Sequence, residues 1–362
     1  MIIKSIELKN FRNYDTLHME LDPKTNILYG NNAQGKTNIL EALYLSGTTK
    51  SHKGSKDKEL IKFQQEEGHI RCNVEKSGMN YRIDMHLRKN KSKGIAINGI
   101  PIRRASELFG ILNIIFFSPE DLDIIKRGPS ERRRFTDLEL CQLDKVYLHN
   151  LGNYNKTLNQ RNKLLKNLYA GSDLSDTLPV WDMQLVNYAK EIIRRREAFI
   201  QELSGIAAGV HEKLSGGLEQ LEVKYEPNVT AQEMEQKLSE NLDRDIRQKL
   251  TSVGPHRDDI CFLVNGVDIR KYGSQGQQRT SALSLKLAEI QLVRKRIQDM
   301  PVLLLDDVLS ELDSNRQNYL LNTIGDLQTV ITCTGLDEFI NNRFEINKIV
   351  KVVNGSISDY NG

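Results

Sequence analysis

Gly30-Asn31-Asn32-Ala33-Gln34-Gly35-Lys36-Thr37 stands between an apolar stretch, residues 26–29, that reads as a strand and a helical pattern that starts near Asn38. The octapeptide fits the P-loop spacing, a glycine, four residues, then Gly-Lys-Thr, in the strand-to-helix context that the spacing requires. Its glycines let the backbone turn so that successive N–H groups face a phosphate chain. The helix N-terminus that follows adds partial positive charge. Lys36 is the expected partner of β- and γ-phosphates, and the Thr37 hydroxyl a ligand for Mg²⁺. A glycine turn with an incidental lysine is the competing reading.

A site of this kind needs an acid at the end of a buried strand. Residues 301–305, Pro-Val-Leu-Leu-Leu, form the continuous apolar run expected of a strand covered on both faces in a parallel sheet. Asp306 and Asp307 follow it directly. Asp306 is expected at Mg²⁺, and Asp307 is expected to position or deprotonate the attacking water, since phosphoryl transfer depends mainly on charge neutralisation and alignment. Such a pair could instead form a helix-capping turn. Residues 330–334 look like a second, shorter buried strand.

Tyr272-Gly273-Ser274-Gln275-Gly276-Gln277-Gln278-Arg279 places a hydroxyl residue and glycines at the start of another helix, spanning residues 276–296. That makes a second anion-seeking helix end in one chain. A monomer with one nucleotide uses only one of them, so Ser274, Gln275, Gly276 and Gln277 are expected to cover a γ-phosphate held by a second copy, in a head-to-tail dimer. A capped helix without a ligand is the plainer alternative.

Further out, the first thirty residues alternate apolar and polar side chains and read as three short strands. Residues 95–102 and 262–269 are alternating runs folded about Asn-Gly, a strong hairpin signal. Ser118-Pro119-Glu120-Asp121 reads as a helix start with Ser118 as cap, and Gly128-Pro129 breaks that helix to begin the next. Along the latter, Tyr147, Leu151, Tyr154, Leu158, Arg161, Leu165 and Leu168 recur at steps of four and three, a seam with one polar defect. Trp181, Leu185, Tyr188, Ile192, Arg195 and Phe199 repeat the spacing beyond a turn at residues 171–179. An antiparallel helical hairpin inserted into a sheet-containing domain is one reading, an ordinary four-helix bundle the other. The expected division is residues 1–125 and 295–362 as one lobe and 126–294 as a helical lobe.

The 362 residues carry 51 basic and 48 acidic side chains, a formal charge of +3, which excludes a polybasic tail. The length exceeds the roughly 250 residues of one ordinary domain. At 39% hydrophobic and 27% charged, the composition suits a globular chain with a full core. No apolar run approaches the roughly 18 residues of a membrane span, and none resembles a signal peptide, so an intracellular, cytoplasmic location is expected. Cys72, Cys141, Cys261 and Cys333 form no CxxC pair and read as buried thiols.

In its order of P-loop, helical insertion, Ser-Gln-Gly-Gln-Gln signature, Leu-Leu-Leu-Asp-Asp and Leu309-Ser310-Glu311-Leu312-Asp313, the chain resembles the ABC-type ATPase heads of SMC-like DNA proteins. Phe117-Ser118-Pro119-Glu120-Asp121-Leu122 and Gly254-Pro255-His256-Arg257-Asp258-Asp259 narrow the likeness to the RecF family of bacterial recombination mediators. The resemblance implies an α/β head, a mixed sheet flanked by helices with an inserted mainly helical lobe. It further implies ATP and Mg²⁺ as ligands, an ATP-induced homodimer, binding to gapped or junction DNA near the nucleoid, weak DNA-stimulated hydrolysis, and partners RecO and RecR in loading RecA. Asp313 matches the D-loop aspartate. Asp307 stands where ABC proteins usually have a glutamate, so slow hydrolysis is expected, and Thr332 stands near the usual switch histidine.

Local basic clusters suit a phosphate backbone read by charge. Lys126, Arg127, Arg132, Arg133 and Arg134 are the leading candidates for DNA, at the entry to the helical insertion. Others are residues 88–93, 194–196 and 50–58; a solvated face is the alternative for each. His256 and Arg257 could contact nucleotide or DNA, or belong to a hydrogen-bonded turn. Two rival functions share the motifs: an ATP-binding subunit of a membrane transporter, and a DNA tether that binds ATP without turnover.

Overall fold

The computed structural model describes residues 1–169, 177–335 and 345–359. The chain divides into two compact units, Met1–Asp121 with Glu289–Gly362, and Leu122–Ala288.

The first unit begins with β1 (Ile2–Phe11), β2 (Tyr14–Glu20) and β3 (Thr25–Tyr29), followed by α1 (Lys36–Thr48) and a single turn, α2 (Asp57–Leu60). β4 (Glu67–Lys76), β5 (Met79–Arg88), β6 (Gly94–Ile97) and β7 (Ile100–Pro101) complete an antiparallel sheet of order β2-β1-β4-β5-β6-β7. Its strands alternate buried and open positions, as a sheet with one covered face must. β8 (Ile114–Phe117) is buried throughout. Residues 119–121 form a 3₁₀ turn in which the Ser118 amide donates to Asp121 Oδ2 at 2.7 Å, so the acid caps the serine's backbone rather than the reverse.

In the second unit, α3 (Leu122–Lys126) and α4 (Pro129–Leu143) lead into α5 (Lys145–Tyr169) and the 37-residue α6 (Leu178–Leu214). Of the turn expected at 171–179, residues 171–176 lie outside the described residues, and Leu178 and Pro179 already belong to α6. Arg161 of α5 bonds Asp182 of α6 at 2.6 Å and Arg196 of α6 bonds Tyr147 of α5 at 3.0 Å, so the two helices run antiparallel. The polar defect in the first seam, Arg161, is fully buried; in the second seam the buried cation is Arg196, while Arg195 is half-exposed. β9 (Leu221–Glu226) lies against α6, followed by α7 (Met234–Glu240) and α8 (Leu242–Gln248). β10 (Asp259–Val264) and β11 (Val267–Asp268) form the expected Asn-Gly hairpin and pair with β9, so the unit is helices on a small sheet and not a four-helix bundle. The short α9 (Ile269–Tyr272) precedes α10 (Gln275–Ile297).

The chain then returns to the first unit through β12 (Val302–Asp306), α11 (Ser314–Ile324), β13 (Thr329–Cys333), β14 (Lys348–Val353) and β15 (Ser356–Asp359). Five parallel strands and one antiparallel edge make a second sheet, β15-β14-β3-β13-β12-β8. Leu28, Val302, Leu304 and Val330 from this sheet, Ile6, Cys72 and Ile83 from the antiparallel one, and Ile39, Leu40 and Leu43 of α1 share one core. Each such side chain contributes about 1.5–3 kcal/mol when fully buried. The core therefore fixes α1 between the sheets and sets the loop after β3 beside the ends of β13 and β12. The four cysteines are buried thiols. No helix among the described residues is long and apolar enough to cross a membrane.

Candidate active site

The C-terminal ends of three adjacent parallel strands, β3, β13 and β12, carry the chemistry of the first unit. β3 runs into Gly30, whose φ is +151°. A Cβ there would lie 2.4 Å from Val352 O, so neither the conformation nor the space admits another residue. Gly35, with φ +115°, faces the same double constraint: a Cβ would lie 2.6 Å from Asn13 Nδ2 and 2.8 Å from Tyr14 OH. Between them Ala33 holds left-handed backbone, φ +64°, a strained conformation of the kind found at ligand-gripping loops.

The loop is gripped from two sides by residues that motif reading missed. Asn13 Nδ2 donates to Gln34 O at 3.0 Å and the Tyr14 hydroxyl to Gly35 O at 3.1 Å; Asn38 Nδ2 donates to Asn13 Oδ1 at 2.8 Å. On the other side, the Asn354 amide donates to Gln34 Oε1 at 2.7 Å and the Gly355 amide to Gln34 O at 3.1 Å. Asn354-Gly355 joins β14 to β15 and is a third Asn-Gly hairpin turn, present in the sequence between alternating residues and overlooked there.

Lys36 caps the loop from within. Its ammonium donates to Gly30 O at 2.5 Å and Asn31 O at 2.9 Å. Burial of this ammonium lowers its pKa, an effect opposed by the Asp307 carboxylate and, more weakly, by Cys333 and Asp306. Thr37 Oγ1 donates to Asp306 Oδ1 at 2.8 Å, and Thr332 Oγ1 donates to the same oxygen at 2.7 Å. Asp306 and Thr332 are direct neighbours in the parallel register of β12 and β13, which aligns them without any long-range adjustment. Asp307 is itself in left-handed backbone, φ +53°, and its amide donates to Thr332 Oγ1 at 3.0 Å. Burial raises the Asp307 pKa, and Lys36 pulls it back. Neither aspartate caps a helix. That task falls to Asp313, which accepts the Arg316 amide at 3.1 Å and pairs with its guanidinium at 2.6 Å; the Arg316 amide bond lowers the Asp313 pKa.

The donor set around Asp306 suits a hard divalent cation. One hydroxyl and one carboxylate, 2.8 Å apart at the mouth of a loop too close-packed for a Cβ, are the oxygen ligands that Mg²⁺ prefers.

In the second unit, Ser274 and Gln277 form a reciprocal cap: Gln277 N donates to Ser274 Oγ at 3.1 Å and Ser274 N to Gln277 Oε1 at 3.0 Å. Gln277 Nε2 is held by Glu219 Oε1 at 2.9 Å. Ser274, Gln275 and Gly276 are exposed, so the N-terminal amides of this 23-residue helix face solvent with a fixed geometry.

The basic cluster at 126–134 does not act as one surface. Arg132 is 3% exposed, bonds Asp259 through two guanidinium nitrogens at 2.6 and 3.1 Å, and donates to Arg127 O at 2.6 Å. Arg133 donates to Asp258 O at 2.7 Å. Both hold the unit together, and burial takes Arg132 out of reach of DNA; Arg133 is half-buried, Lys126 and Arg127 are exposed, and Arg134 pairs with Glu131. Arg196 is likewise buried, against Asp137, Asp258 and Pro255 O. His256 belongs to a turn: Nε2 donates to Thr251 O at 3.0 Å while Nδ1 accepts from the Tyr154 hydroxyl at 2.6 Å, and burial pushes its pKa down to about 4.

Against known proteins, a family model described as the RecF/RecN/SMC N-terminal domain matches residues 2–358. The chain is 65% identical over 357 residues to a DNA replication and repair protein RecF of Agathobacter rectalis, with 99% of each covered. It is 62% identical to one of Lachnoclostridium phytofermentans, again with 99% of each covered. Among solved structures it is similar to the recombination mediator protein RecF-ATP of the RecFOR pathway, with TM-score 0.93 and 36% identity over 99% of this chain and 97% of that one. An SMC head bound to the C-winged helix domain of ScpA, 17% identical with TM-score 0.57 over 99% of this chain and 97% of that one, shares the fold.

Proposed function

The chain belongs to the RecF/RecN/SMC N-terminal domain family, with the fold of an ABC-type ATPase head, and from that premise we propose that it is an ATP-dependent DNA-binding protein of recombinational repair and replication. ATP is held by residues 30–37, with Lys36 leaving the Gly30 and Asn31 carbonyls for the phosphates. Thr37 and Asp306 would hold Mg²⁺, which supplies charge neutralisation at the phosphates when bound. Asp307, its carboxyl made more basic by burial, accepts the proton of the attacking water. Being one methylene shorter than a glutamate, it does so slowly.

The observation that carries the reading is that the Thr37 and Thr332 hydroxyls converge on one carboxylate oxygen of Asp306 beside the P-loop lysine, while a rigidly capped signature helix end stands open to solvent. A complete binding half and an exposed covering half on one chain suit a head-to-tail dimer with two shared nucleotides. DNA then binds across the dimer by backbone charge, with Lys126 and Arg127 as candidate contacts, and a gapped or junction structure as the preferred site. The likeness to proteins of the RecFOR pathway supports RecO and RecR as partners, RecA loading as the outcome, and action in the cytoplasm.

Sedimentation velocity with saturating ATP and Mg²⁺, with and without gapped duplex DNA, tests this. Dimerisation that requires ATP and is enhanced by DNA is expected; a chain that stays monomeric overturns it. Salt-sensitive DNA binding separates the reading from a transporter subunit, and phosphate release separates it from a tether without turnover.

A further inference from the structure

On the more open face of the antiparallel sheet two histidines and a glutamate meet. His69 of β4 and His86 of β5 are directly opposed in the strand register, and their rings stack with centroids 4.2 Å apart and planes 19° apart. Glu67, two residues before His69 and hence on the same face, lies 2.9 Å from His86 Nε2. One donor atom from each of the three side chains falls within 4.8 Å of the other two. His69 and His86 line an open groove of about 900 Å³ that also includes His18, Arg71 and Asp84.

We propose that Glu67, His69 and His86 form a binding site for a transition-metal ion of the Zn²⁺ class. Two imidazoles and one carboxylate are a common ligand set for such ions, leaving further positions to water. Ligands at about 2.0–2.2 Å in a tetrahedron stand about 3.4 Å apart, so closure from the present spacing needs only side-chain torsions. The backbone is already fixed by consecutive β4–β5 pairs on either side of the histidines, so little ordering entropy opposes binding. The imidazoles discriminate against Mg²⁺, a cation that prefers oxygen, so the site is chemically separate from Thr37 and Asp306. A bound ion would join β4 to β5 and stiffen the sheet whose β1–β2 turn grips the P-loop through Asn13 and Tyr14.

The test uses the full chain in excess Mg²⁺ without nucleotide. Equilibrium dialysis against micromolar ZnCl₂ should retain one Zn²⁺ per chain and raise Tm. The His69→Asn, His86→Asn double variant, at two partly exposed positions, should weaken binding about tenfold or more and lose the Tm rise while keeping the metal-free Tm. Substituted Co²⁺ should show visible bands without the near-ultraviolet absorption of thiolate ligation. No retained Zn²⁺, equal retention by the double variant, or a thiolate band from the buried cysteines would each overturn the assignment.

Discussion

The hydroxyl of Thr332 donates to Asp306 Oδ1 at 2.7 Å and, through the same oxygen, accepts the amide of Asp307 at 3.0 Å. One side chain on β13 thus orients both acids at the end of β12. Thr332 is 2% exposed, and its hydroxyl is committed to the two aspartates. A positioning role for Thr332, acting on a γ-phosphate through the two acids, is the proposal these bonds support. Thr332→Val keeps the shape and removes both bonds. A hydrogen bond to a charged group is worth about 1.5–3 kcal/mol, so phosphate release should fall roughly 10–100-fold with ATP affinity little changed, and Thr332→Ser should restore it. Unaltered turnover in Thr332→Val would assign the orientation of the acids to the backbone alone.

Asp307→Asn removes the proposed proton acceptor while preserving size. Loss of a general base costs about 10²–10⁴ in rate, so single-turnover hydrolysis should nearly stop while ATP binding and dimerisation persist. The burial that raises the Asp307 pKa also sets a sign: its base form is lost at a higher pH than for an ordinary aspartate, so the acid limb of the turnover profile should be shifted upward from that of an ordinary aspartate. A variant that hydrolyses ATP like the parent would move the base elsewhere.

The P-loop, the buried strand ending in Asp306-Asp307 and the Ser274 helix start were legible because each obeys a local rule of spacing. Residues that act through tertiary register were not. Asn13 sits in an unremarkable turn and Tyr14 opens β2, and only packing of the two sheets brings them to Gln34 and Gly35. Thr332 was singled out by position, yet its bond to Asp306 depends on the β12–β13 register. The basic clusters misled for the opposite reason. Charge is visible in sequence, but burial of Arg132 and Arg196, like that of the seam residue Arg161, depends on acids 127, 62 and 84 residues away.

Arg161 shows what such burial costs. Its guanidinium is fully buried and bonds Asp182 at 2.6 Å, Asp245 at 2.7 Å and Thr251 at 2.9 Å, and Asp245 is equally buried. Arg161→Ala leaves the Asp245 carboxylate without its counter-charge. Removing one partner of a buried pair costs about 3–5 kcal/mol, so urea unfolding should show a loss of that size; a change below 1 kcal/mol would mean that water or another cation replaces it.

His256 makes stability depend on pH. Its folded pKa, pushed down to about 4, lies below the ordinary value of 6.5, so the unfolded chain binds the proton more readily in between. The contribution is fully present above pH 6.5 and is lost as pH falls towards 4. Between pH 7 and pH 5 the loss from this residue is about 2 kcal/mol. His256→Gln should flatten the pH dependence by that amount, measured as the difference between the two proteins in urea at each pH. Identical slopes would show that the imidazole binds protons equally in the folded and unfolded chain.

Complementation isolates the proposed sharing of nucleotide between copies. Ser274→Arg places a bulky cation at the exposed helix end while leaving Lys36, Thr37 and Asp306 intact. It also removes the hydroxyl that accepts the Gln277 amide, a cap worth about 1 kcal/mol, so Tm should drop only slightly. Lys36→Met has the reverse defect: it loses the ammonium that follows the phosphates but keeps a normal signature. Each variant alone should be inactive, the first binding ATP as a monomer and the second binding none. Mixed, they can form a heterodimer in which the Lys36→Met copy covers the nucleotide held by the Ser274→Arg copy, giving one complete site of two. Partial recovery of ATP hydrolysis, rising with the concentration of either partner, is therefore expected. If the signature acted on the nucleotide of its own chain, neither copy would hold a complete site, and the mixture would remain as inactive as its parts.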